Sequence, residues 1–127
     1  MARNLIDIPN HPSLPTVTRK AVVTQSINNY KNSCVDIFID VFHYVDGVEV
    51  KYFPKSLKLM GDNQDSVDPT TGEKVVADET GNLPAGAMGE YDYLWYIVNV
   101  AKAYTQVELE DIYILKKIAV INEKLYA

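Results

Sequence analysis

The chain has 127 residues, 47% hydrophobic and 23% charged, with a net charge of −5. That length predicts a single domain over residues 1–127. The acidic balance argues against nucleic acid and anionic membranes as partners, since each phosphate contact needs a Lys or Arg counter-charge. Cys34 is the only cysteine, which excludes an internal disulfide and fits a reducing compartment.

Residues 1–15 carry Pro9, Pro12 and Pro15 and read as an extended arm. The arm has no apolar run of signal-peptide length. Residues 16–28 are rich in Val and Thr and predict a strand. Val17, Ala21, Val23 and Ile27 share one parity, which Arg19 and Gln25 interrupt.

Residues 34–60 hold the clearest pattern. Val35, Ile37, Ile39, Val41 and Val45 alternate along one face of a strand. Asp46-Gly47 then predicts a two-residue type I′ hairpin, because both turn positions need positive φ. That register sets Val45 opposite Val48, His43 opposite Val50 and Val41 opposite Tyr52, with Asp40 diagonal to Lys51. Pro54 cannot donate to a ladder, so the second strand is expected to be an edge or to bend there.

Residues 61–89 form a long acidic loop that holds five of the six glycines. Ordered loops longer than about 12–15 residues are uncommon in compact domains, and binding is one usual reason for them. Residues 90–104 have strand-like composition, yet Leu94, Ile97 (or Val98), Ala101 and Tyr104 follow helical spacing, and helix is the reading taken here. Thr105 to Glu108 matches a capping box. The helix it opens carries a stripe of Val107, Ile114, Ile118, Ile121 and Leu125, widened by Ile112, Leu115 and Ala119. The longest apolar run, Tyr93 to Val98, falls short of the roughly 20 residues of a membrane helix. The fold class expected is α+β: an antiparallel sheet of three or four strands with a central hairpin, a long acidic loop, and one or two C-terminal helices packed on the sheet.

Catalytic constellations fail on spacing. Cys34 and His43 lie on one predicted strand, roughly 30 Å apart and facing opposite ways, so they make no dyad. Asp36 and Asp40 share a face at roughly 13 Å, too far for a glycosidase pair at about 5–9.5 Å. Asp62, Asp65 and Asp68 lack the pattern of a calcium loop. One Cys and two His fall short of a usual structural zinc set. Gly86 to Gly89 has no Lys-Ser/Thr partner for a phosphate and reads as the approach to a helix. The expectation is a non-enzyme without cofactor or metal.

What remains is contact chemistry. Tyr91, Tyr93, Trp95 and Tyr96 form a cluster of the residue types enriched where proteins meet, and equally of a Tyr-rich core edge. With Asp62, Asp65 and Asp68 they are the candidate protein-interface residues. The stretch VDGVEVKYFPKSLKL, then SVDPTTGEKVVADETG, then a C-terminal helix resembles small virion subunits of tailed bacteriophages, of the neck, tail or baseplate kind. The resemblance covers roughly residues 35–125 in style and carries no functional residue. It implies a structural subunit that forms rings or trimers without enzymatic activity. With no signal peptide or membrane segment read in the sequence, the expected location is the cytoplasm or the virion. Two other readings stay open. One is an acidic immunity protein or antitoxin that uses the acidic loop to bind a basic toxin. The other is a small-ligand module built on the apolar face of the hairpin.

Overall fold

The computed structural model describes residues 5–50 and 56–126. The fold is α+β. In chain order it has β1 (Ile6–Ile8), β2 (Thr18–Asn29), β3 (Cys34–Val45), β4 (Val48–Glu49), β5 (Ser56–Asp62), β6 (Ser66–Val67), β7 (Lys74–Val75), β8 (Met88–Gly89), α1 (Glu90–Asn99), α2 (Gln106–Lys116) and α3 (Ile118–Tyr126). One sheet has five strands in the order β1-β2-β3-β4, with β5 also paired to β3; the other has three, in the order β7-β6-β8. The main sheet thus exceeds the three or four strands expected. Its extra members come from the proline-rich arm and from the chain after Pro54, where periodicity is too short to declare a strand.

The chain forms two compact units. The first comprises residues 1–26, 37–59 and 110–127; the second comprises 27–36 and 60–109.

In the first unit, β1 pairs antiparallel with β2, Ile6 facing Ala21 and Ile8 facing Arg19. The inward parity of β2 is Val17, Arg19, Ala21 and Val23, all buried; Gln25 and Ile27 are exposed. Arg19 therefore continues the buried row that it was expected to break. On β3 the buried row is Val35, Ile37, Ile39, Val41 and His43. The hairpin turns at Asp46 and Gly47, with φ of 51° and 80°. Val45 faces Val48, and the Val50 amide donates to the His43 carbonyl at 2.8 Å. Both match the type I′ register. The pairings expected for Tyr52 and Lys51, and the bend expected at Pro54, lie outside the described residues. Asp40 accepts a 2.7 Å hydrogen bond from the Ser56 hydroxyl.

The C-terminal helices pack on the sheet. Residues expected to form one helix form two, parted at Lys117, whose amide reaches back three residues to the Ile114 carbonyl at 3.1 Å. The buried positions are Leu109, Glu110, Tyr113, Ile114 and Ile121, whereas Val107 and Leu115 are exposed. The stripe read from the aliphatic residues was therefore rotated. Tyr113 and the partnered Glu110 turn inward, and an aliphatic count does not register them.

In the second unit, β6 pairs with β7 and with β8, Ser66 facing Val75 and Gly89. Segment 61–89 is thus built around strands and tight turns. Helix α1 packs against β6 and β8, burying Tyr91, Leu94 and Ile97 at i, i+3 and i+6. It ends at Asn99; residues 100–104, expected to continue the helix, turn away, with Lys102 at a φ of 52°.

Candidate functional site

The predicted interface residues all fall in the second unit, and they divide by role. Tyr91 is buried, and its hydroxyl donates to Asn28 Oδ1 at 2.6 Å. Burial raises the Tyr91 pKa above its ordinary value, which keeps the hydroxyl protonated as a donor. Tyr93 is half-buried; burial raises its pKa too, and Tyr104 and Asp68 add to the effect. Trp95 and Tyr96 project outward, each 41% exposed. Val100, Tyr104 and Val107 continue as exposed apolar side chains over the turn into α2. The cluster read from sequence is therefore part core and part surface. Helical geometry decides which, since Tyr91 shares its face with Leu94 and the next residues do not.

Two of the three aspartates build turns, and the third makes an ion pair. Asp62 Oδ1 accepts from the Gln64 amide at 3.0 Å, and Asp68 Oδ1 accepts from the Thr70 amide at 2.8 Å. Asp65 pairs with Lys74 at 3.4 Å across the small sheet. A fourth acid, Asp78, closes the 78–82 turn with bonds from the Thr80 hydroxyl (2.7 Å) and the Thr80 and Asn82 amides (2.9 and 3.0 Å). These bonds, led by the Thr80 hydroxyl, hold the Asp78 carboxyl below its ordinary pKa. Among the described residues no three His, Cys, Asp or Glu side chains gather in a way that would hold a metal ion.

The glycine-rich approach to α1 has a structural occupant. Asn63 Oδ1 accepts the Asp92 amide at 3.1 Å, and the Asp65 carbonyl accepts the Glu90 amide at 2.9 Å. Two of the free N–H groups of the helix start are thus bound by a loop some thirty residues upstream. A Cβ on Gly89 would lie 2.0 Å from Asn63 Oδ1, so only glycine fits there. No side chain at the Gly89 cap position itself supplies a bond.

The first unit holds a polar cluster that sequence reading missed. Arg19 is 2% exposed. Its Nη1 donates to Asn122 Oδ1 at 2.6 Å and to the Tyr126 hydroxyl at 3.4 Å, and its Nη2 donates to the Pro9 carbonyl. Its Nε is buried without a hydrogen-bond partner. His43 Nε2 lies 2.5 Å from the Tyr126 hydroxyl, and burial, then the Arg19 charge, lower its pKa. The Tyr126 ring meets His11 edge-on at 4.7 Å between centroids. A cleft of about 570 Å³ opens beside this cluster, lined by His11, Ser13, Leu14, Asn122, Glu123 and Tyr126. Its residues come from the arm and from α3, more than a hundred positions apart, so no local motif announces it.

Cys34 stands apart from this chemistry, with Sγ 3.9 Å from Asp36 Oδ1. No helix among the described residues is long and apolar enough to cross a membrane. Comparison with known proteins gives no match to any protein family, curated protein or solved structure.

Proposed function

We propose that the protein is a non-enzymatic structural subunit that acts through protein–protein contacts. The observation that carries this reading is the run of exposed side chains from α1 through the turn into the start of α2, where Trp95, Tyr96, Val100, Tyr104 and Val107 are each 40–55% exposed. Large aromatic and apolar side chains interleaved with Asp92 and Asn99 have the composition of an interface, in which aromatics are enriched and Lys is depleted. The sequence resemblance to virion subunits of tailed phages suggests the kind of assembly, in a neck, tail or baseplate. The acidic-inhibitor reading has less support, because Asp62, Asp65 and Asp68 each make local bonds within their own segment.

Light scattering across a concentration series tests the proposal. A mass that rises to a defined oligomer in the wild type, and falls back to monomer in Trp95→Asp/Tyr96→Asp, is the expected result. Assembly of that double variant identical to the wild type would remove the face from consideration. A wild-type monomer at every concentration would argue against self-assembly.

A further inference from the structure

The cleft over Arg19 goes beyond the assembly reading, and its lining is directional. A buried guanidinium is costly unless it is well paired, and here its hydrogen bonds run to three neutral oxygens. The positive charge therefore reaches its surroundings uncompensated by a hydrogen-bonded carboxylate. Two lining groups also have an acceptor engaged by the protein. Asn122 Oδ1 is taken by Arg19, which turns the Asn122 amide nitrogen away as a donor. His11 Nδ1 accepts the Ser13 amide at 3.0 Å, which leaves the ring N–H at Nε2. With the Ser13 hydroxyl, the cleft offers donors from three side chains beside a buried cation.

The remaining walls limit what an acceptor ligand can be. Leu14 and the Tyr126 ring supply apolar surface for a small hydrocarbon body. Glu123 is exposed and puts a negative charge at the rim, which disfavours a dianion more than a monoanion. We propose that this cleft binds a small organic monocarboxylate. Its carboxylate takes the donors of His11, Ser13 and Asn122, and its apolar body lies on Leu14 and Tyr126.

The test is an amide NMR titration of the full chain with butyrate, set against butanamide and inorganic phosphate. Saturable shifts with butyrate at Ser13, Leu14, Asn122 and Glu123 are expected, with weaker effects from the other two probes. Ser13→Ala is expected to weaken butyrate binding several-fold. Glu123→Gln is expected to tighten it about threefold, the scale of one solvent-exposed charge interaction. Both positions are surface side chains outside the buried cluster, so both variants should fold. The proposal fails if butyrate gives no saturable shift at millimolar concentration. It fails equally if butanamide or phosphate binds as well as butyrate, or if Glu123→Gln leaves butyrate affinity unchanged or weaker.

Discussion

Single side chains carry more of this molecule's chemistry than its composition suggests. His43 faces the interior with its pKa lowered by burial and by Arg19, so it folds in the uncharged form. The unfolded chain, titrating near 6.5, takes up the proton first as pH falls. The His43 contribution to stability is therefore full above that value and declines as pH drops below it. Chemical denaturation from about pH 7 to about pH 5 should show this slope in the wild type, and His43→Gln should flatten it. An equal slope in the variant would place the acid sensitivity elsewhere. Asp78 has the same sign in a more acidic window, although here the fold favours the charged form. Its carboxyl is held below its ordinary value by the Thr80 hydroxyl and neighbouring amides, so the ties of the 78–82 turn persist at neutral pH and weaken only in strong acid.

At the scale of elements, the start of α1 depends on a side chain outside the helix. Gly89→Ala would push a methyl group into Asn63, whose Oδ1, Cγ and Cβ lie 2.0, 2.4 and 2.8 Å from the new atom. Rotation of the amide alone does not clear a contact with its own Cβ. The substitution should cost about 1–3 kcal/mol, as overpacking does, read as a lower denaturation midpoint at unchanged slope. Retention of wild-type stability would mean that Asn63 is not held where its bond to Asp92 places it. The start of α2 is a contrasting case. The Glu108 amide donates to the Thr105 hydroxyl oxygen at 3.2 Å, and the Thr105 amide donates to the Glu108 carboxylate at 3.2 Å. That box spans four residues and was legible in sequence, as were the Asp46-Gly47 turn and the alternation along β3. Each is set by neighbours in the chain. Pairing of β1 with β2, the return of β5 to β3 and the capping of α1 by Asn63 were not legible, because distant segments decide them. The same holds for the sites. Sequence found the aromatic cluster of α1 but not which members face outward. It missed the cleft, whose His11 and Tyr126 meet only after folding.

At the scale of the whole molecule, neither compact unit is one stretch of chain. Each is assembled from separated segments, and residues 110–127 belong to the first unit although they follow the whole of the second. A chain ending at Leu109 would lose Tyr113, Ile114 and Ile121, each at most 2% exposed, together with the Asn122 and Tyr126 partners of Arg19. It would leave the Arg19 guanidinium with the Pro9 carbonyl alone among those partners. Such a chain should lose the dispersed amide resonances of β1 and of residues 18–26 and 37–45. Their survival would mean that the sheet holds its inner face without the helices.

The loop that caps α1 also constrains when the helix can form. Its first turn becomes satisfied only after residues 63–65 are brought against residues 90–92, a closure across the whole acidic segment. Entropy opposes that closure until strand pairing at Ser66 and Gly89 draws the ends together. Strand pairing at Ser66 and Gly89 therefore shortens the closure that the helix cap requires. A chain that stops short of Asp92 has no amide there for Asn63 to hold, so the closing bond of the segment waits on residues beyond it.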